Sequence, residues 1–144
     1  MQIEIVKDVT PELVEAMGRL LPQQSPGARH PTAEQLAAII AAPTNTLLIA
    51  RDREGRIVGT LTLLLMLTPG ATFGFVEDVV VDEGARRQGI GEALVQECLR
   101  LAREQGASRT ELHSGNHRQP AIRMYQRAGF EKFETNVWRY VYPE

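Results

Sequence analysis

Three groups of residues in this 144-residue chain could do chemistry. The first is Arg86-Arg87-Gln88-Gly89-Ile90-Gly91, where two guanidinium groups precede two closely spaced glycines. A glycine-bearing turn that opens a helix leaves several backbone N–H groups without intrahelical partners. With the helix dipole, such donors favour phosphate oxygens, and the arginines add charge. The spacing Arg86-x-x-Gly89-x-Gly91 matches neither of two familiar phosphate motifs. The chain has no G-x-x-x-x-G-K-[ST], and no G-x-G-x-x-G followed by an acidic residue about 20 positions on. The second group is the carboxylate pair Glu77 and Asp78, able to take a proton, with His113 and His117 as alternatives. The third is Tyr125, a hydroxyl able to hold a proton or give one. A solvated turn, a paired surface side chain and a core tyrosine are the plain alternatives for these three. No His/Cys/Asp cluster has metal-ligand spacing, so no metal is expected.

The elements that must position these groups can be read from periodicity and punctuation. Ile3 and Ile5 alternate with Gln2 and Glu4, which predicts a first strand. Thr10-Pro11-Glu12 opens a helix carrying Leu13, Met17, Leu20 and Leu21, and residues 22–31 read as a loop. Thr32-x-x-Gln35 is a capping box for a second helix with Leu36, Ile39 and Ile40 on its apolar face, stopped by Pro43. Thr46–Ala50 and Arg56–Leu67 predict two strands joined by a polar turn at 51–55. Ile57, Gly59, Leu61, Leu63, Leu65 and Leu67 would share one face of the second. Phe73–Val81 predicts the central strand, and a turn at 82–85 leads into a helix from about Gly89 to Gly106 with Leu94, Cys98 and Leu101 on one face. Ser108–Ser114 reads as a strand and Pro120–Ala128 as a short helix ended by Gly129. Glu131–Glu134 and Val137–Tyr142 read as a closing antiparallel pair. The predicted order is β-α-α-β-β-β-α-β-α-β-β. That is an α+β class: a mixed, mostly antiparallel sheet with helices on its faces, in a single domain over residues 1–144.

Composition narrows the function classes. Hydrophobic content of 43% and charged content of 24% are those of an ordinary globular domain. A net charge of −2 gives no general argument for nucleic acid or an anionic membrane as partner. The longest apolar run, Leu61–Leu67, is interrupted by Thr62 and is too short to span a bilayer. The single Cys98 and the absence of a signal-like start lead to the expectation of a cytoplasmic protein. The aromatic segment Val137–Tyr142 leads to the expectation of a homodimer formed at a sheet edge.

Arg86-x-x-Gly89-x-Gly91 resembles the Q/R-x-x-G-x-G/A signature of the GNAT superfamily of acetyl-CoA-dependent N-acetyltransferases. Val79-Val80-Val81 resembles that family's pantetheine-binding strand, and residues 121–130 are similar to its A-x-x-x-Y-x-x-x-G-F segment. The resemblance is sharp over residues 74–130. Within it, residues 76–81 resemble the glucosamine-6-phosphate N-acetyltransferase branch most. The resemblance implies a three-layer α/β/α fold in which the central strand and the next one splay apart around the cofactor. It implies acetyl-CoA held by the backbone of Val79, Val80 and Val81 and by Arg86, Arg87, Gln88, Gly89, Ile90, Gly91 and Glu92. It also implies Tyr125 as cofactor contact and general acid toward the sulfur, and transfer to a primary amine of a small molecule. Glu77, just before the cofactor-binding backbone, is then the first choice of base. Asp78 should point to the opposite face unless a bulge intervenes. The family's usual asparagine falls at Arg118, so Asn116 is the nearest substitute for that contact. Alternatives are an acetyltransferase for protein lysines or N-termini, and an acyl-CoA sensor without turnover.

Overall fold

The structure, a computed structural model, describes all 144 residues. Five strands lie side by side in chain order: β1 (Gln2–Ile5), β2 (Asn45–Arg51), β3 (Ile57–Leu67), β4 (Thr72–Val81) and β5 (Thr110–Leu112). The first three pairings are antiparallel and the last, β4 with β5, is parallel. The sheet is therefore mixed and mostly antiparallel, as expected. The β4–β5 ladder runs only from Gly74↔Thr110 to Val76↔Leu112. Beyond Val76 the two chains part, which is the expected splay.

Helices α1 (Pro11–Gln24) and α2 (Ala33–Ala41) cover one face. Leu13, Ala16, Met17 and Leu20 of α1 and Leu36 of α2 bury against Leu47, Ile49, Ile57 and Val80. Thr10 caps α1 through Leu13 N–H, and the Thr32–Gln35 capping box opens α2. α1 runs a turn past its expected end, through Pro22. That proline sits in the final turn, where its missing N–H costs only one intrahelical bond. Helix α3 (Ile90–Glu104) covers the other face with Leu94, Val95, Cys98 and Leu101 against Leu48, Leu61, Leu63 and Val76. Helix α4 (Gln119–Ala128) packs beside α3, with Pro120 in its first turn and Gly129 left-handed at its end.

Two expectations are corrected. Ile57 does not share a face with Leu61 and Leu63; it packs under α1, because a register shift at Ala50/Arg51 reverses the alternation at the start of β3. The closing strands at Glu131–Glu134 and Val137–Tyr142 do not form. Residues 131–144 are exposed and carry no ladder, because a strand needs a partner edge and this segment meets none in its own chain.

Candidate active site

The turn between β4 and α3 presents a run of free donors. A single 3-10 turn (Glu83–Ala85) follows Asp82, Arg87 holds φ 66°, and Gly89 holds φ 77° at the start of α3. From Arg86 through Glu92, no backbone N–H has a partner in the chain. The family resemblance implies cofactor contacts at these same seven positions, and an α-helix N-terminus behind them adds its dipole. The residues present therefore fit a diphosphate group. Their side chains divide into different roles. Arg86 folds back, its Nε donating to Val81 O at 3.2 Å. Arg87, Gln88 and Gly89 are exposed, and Ile90 is core. A side chain at Gly91 would meet Met124 and Val81 at 3.4 and 3.5 Å, so this glycine lets α3 approach α4 and β4. Glu92 pairs with Arg127 of α4 at 3.4 Å.

On β4, Thr60 pairs with Val80 but Thr62 pairs with Glu77, so two residues, Asp78 and Val79, oppose Leu61 alone. This is a β-bulge. Asp78 takes φ 53°, a conformation that aspartate tolerates better than most residues. The bulge shifts the alternation: Val80 lies under α1, whereas Val79 and Val81 pack on the α3 side with Val76. On the side away from β3, residues 77–81 have no strand partner, which leaves an edge for the amides of a pantetheine arm. The bulge also gives the two exposed carboxylates different surroundings. Asp78 lines a cleft of about 270 Å³, with Thr60, Thr62, Met17, Leu21, Gln24 and Arg29 among its other walls. Glu77, exposed like Asp78, lines no part of it. A larger hollow of about 620 Å³ lies behind the turn, against the β2–β3 loop. It is walled by charged loop residues such as Asp52, Arg53 and Arg56 and is far less suited to an apolar acyl arm.

Tyr125 stands half-buried on α4, its ring edge-on to Phe130 at 5.9 Å. Its hydroxyl makes no hydrogen bond within the chain. Burial raises its pKa above the ordinary 10, and the nearby Arg118 guanidinium opposes that rise. The phenol is thus protonated at neutral pH, as an acid must be. Arg118 also donates from Nη2 to Gln24 O at 3.0 Å, so the residue in the asparagine slot ties the start of α4 to the end of α1 at the rim of the Asp78 cleft. Asn116 is exposed, and its carbonyl accepts from Gln119. His113 stacks edge-on with Phe75 at 4.9 Å, and His117 is exposed. His30 and Arg29 sit in the α1–α2 loop, where only Arg29 lines the cleft.

No local pattern in the sequence marks a second tie. Arg19 of α1 donates to Asp82 at 2.6 Å and to Ile57 O at 3.0 Å, and Gln23 accepts from Glu83 N–H at 2.9 Å. These contacts anchor the entrance of the phosphate-fitting turn to α1. Partners 63 residues apart carry no local signature.

The acetyltransferase (GNAT) family model matches residues 13–130. This chain belongs to that family. It is 32% identical over 95 residues to a glucosamine 6-phosphate N-acetyltransferase of Trypanosoma brucei brucei, covering 64% of this chain and 63% of that enzyme. It is 36% identical over 94 residues to a mycothiol acetyltransferase of Saccharomonospora viridis, covering 62% of this chain and 31% of that one. The chain thus spans under two thirds of either relative. An aminoglycoside acetyltransferase from an uncultured soil metagenomic sample superposes with a TM-score of 0.85 over 99% of this chain and 96% of its own, at 20% identity. That likeness shows the fold. No helix is long and apolar enough to cross a membrane.

Proposed function

We propose that this protein transfers the acetyl group of acetyl-CoA directly to a primary amine of a small molecule. The observation that carries this reading is the unbroken run of unpartnered N–H groups from Arg86 through Glu92, beside an unpaired edge of β4 and a protonated Tyr125. Acetyl-CoA, when bound, supplies a thioester carbonyl open to attack. Arg86 through Glu92 hold the diphosphate, and residues 79–81 align the pantetheine. Asp78 holds the incoming ammonium and takes its proton, directly or through water, so that a neutral nitrogen attacks. The C–N bond forms as the C–S bond breaks; Tyr125 Oη gives its proton to the departing sulfur, and the second proton of the acylated nitrogen returns through water to the tyrosinate, leaving amide and thiol. Cys98 is fully buried and its thiol is pushed up to about 12, which supports transfer without an acyl-enzyme.

Asp78 thus stands ahead of Glu77 as base, because only Asp78 borders the cleft. The cleft's modest size favours a compact amine over a protein segment, and the two named relatives also act on small molecules. We read the protein further as cytoplasmic and homodimeric, from its single buried cysteine and its aromatic C-terminal segment.

The deciding experiment is a thiol-release assay with acetyl-CoA against a panel of amines, including amino sugars. Tyr125→Phe keeps the ring and removes the hydroxyl. It should lower kcat by roughly 10–10³-fold with acetyl-CoA affinity little changed. If kcat stays within about twofold while acetyl-CoA still binds, the proton comes from elsewhere. Absence of thiol release with every amine, despite binding, would favour the sensor reading.

A further inference from the structure

The wall of the Asp78 cleft is mostly aliphatic. α1 gives it Met17 and Leu21, α2 gives Leu36 and Ile39, and the sheet gives Leu47. Thr60 is buried, and its hydroxyl donates to Leu48 O at 2.9 Å, so its proton is not free for a ligand. Gln24, Ser25 and Thr62 supply the remaining neutral polar side chains. A polyhydroxylated ligand needs a partner opposite each hydroxyl, and any that it lacks are costly to take out of water. This wall suits a body made mainly of hydrocarbon.

Two charged residues line the same cleft, and they have opposite signs. Asp78 comes from the bulge in β4 and Arg29 from the loop between α1 and α2. Neither forms an ion pair with the other or with any other residue, so their charged atoms lie more than 4.0 Å apart. The other guanidinium groups of this region are committed: Arg19 pairs with Glu15 and Asp82, and Arg118 donates to Gln24 O. A free anion and a free cation, held apart in an otherwise neutral cleft, match a ligand with an ammonium at one end and an anion at the other. The fork of one guanidinium pairs with both oxygens of a carboxylate, whereas a phosphate dianion would leave a charge unmatched. At about 270 Å³ the cleft falls just below the roughly 300–1,000 Å³ usual for drug-sized ligands, so its occupant is small.

We propose that the acceptor is an amino carboxylic acid with an apolar body, its ammonium held by Asp78 and its carboxylate by Arg29. This rests on the acetyl-transfer reading above and narrows its acceptor class. Arg29 is then a specificity-determining residue, which grips the far end of the acceptor and takes no part in making or breaking bonds. It is exposed and has no partner to give up, so it can close on the carboxylate without breaking a contact in the chain. Acetylation turns the ammonium into a neutral amide. The product therefore loses its hold on Asp78, keeps only the carboxylate contact and leaves more readily than the amine.

Calorimetry and thiol release together test this. The probes are ω-amino acids with alkyl or aryl spacers, the same amines with a methyl group in place of the carboxylate, and an amino sugar with and without a phosphate. Each is titrated into the protein saturated with coenzyme A, and each is assayed for thiol release with acetyl-CoA. The best amino acid should bind about tenfold or more tighter than its methyl counterpart, and kcat/KM should show the same preference. In Arg29→Gln that advantage should shrink to within about twofold, and in Arg29→Lys part of it should remain. Arg29→Glu should reverse it, so that a diamine of the same length binds better than the amino acid. The proposal is overturned if the carboxylate confers no advantage, if the advantage survives in Arg29→Gln, or if the amino sugar phosphate outbinds every amino acid. Thiol release from amines with no carboxylate preference would leave acetyl transfer standing and sink the acceptor class. Arg29-dependent binding of amino acids without thiol release would uphold the assignment of the cleft and sink acetyl transfer.

Discussion

Removing the Arg19 guanidinium should separate α1 from the turn that opens the candidate phosphate site. Arg19 is 21% and Asp82 15% exposed in their side chains, so the pair is neither a free surface pair nor a fully desolvated one. Exposed pairs contribute about 0–1 kcal/mol, whereas removing one partner of a buried pair costs about 3–5 kcal/mol. Arg19→Met keeps the stem and deletes the bonds to Asp82 and to Ile57 O. Asp82 retains only long contacts, with Gln23 and with Gly84 N–H, both at 3.5 Å. Water reaching the site offsets part of the loss, so about 2 kcal/mol of destabilisation is expected. At roughly 2–4 °C per kcal/mol, Tm should fall by about 4–8 °C. Urea unfolding of Arg19→Met, Asp82→Asn and the double variant forms a cycle whose coupling should be about 1–2 kcal/mol and should survive high salt. The folded Arg19→Met protein should also bind acetyl-CoA several-fold more weakly, because the turn is less well held. A coupling below about 0.5 kcal/mol would refute the reasoning and make the pair an incidental surface contact.

The two glycines should behave differently. Gly89→Ala should lose about 1–2 kcal/mol in urea unfolding, since φ 77° is strained for any side chain, whereas Gly91→Ala should be close to neutral because only the flexible end of Met124 and Val81 are near. Asp78→Asn should lower kcat/KM for the amine by about tenfold or more and Glu77→Gln by less than about threefold; the reverse order would restore Glu77 as base. Cys98 should react with a disulfide reagent at pH 8 orders of magnitude more slowly in the folded than in the unfolded chain. Its buried thiol ionises near 12 against an ordinary 9.0, so the unfolded chain loses its proton first. Stability should therefore be unaffected by this group below pH 9 and fall as pH rises toward 12, by up to about 1.4 kcal/mol per unit. Tyr125 adds to the fall above pH 10, and Cys98→Ala should reduce the slope; an unchanged slope would assign it to other groups.

Much of this protein was legible in its sequence, because the relevant signals are local. A capping residue, a proline in a first turn and a 3.6-residue stripe act within a few positions, so Thr10, Thr32 and the Leu94–Cys98–Leu101 face told where helices begin and what they bury. The free donors at 86–92 were readable for the same reason: a helix start leaves its first N–H groups unpaired in any fold. What only the tertiary structure decided depends on which strand lies beside which. The bulge at Asp78 exists because β3 and β4 differ by one residue in register, and it sends Asp78 instead of Glu77 to the cleft. The shift at Ala50/Arg51 sends Ile57 to the other face of the sheet. Arg19 finds Asp82, and Arg118 finds Gln24, across gaps of 63 and 94 residues that no local pattern records. The segment 137–142 has every local property of a strand, yet it forms none alone, because a strand is completed by the edge it pairs with and its own chain does not bring one to it.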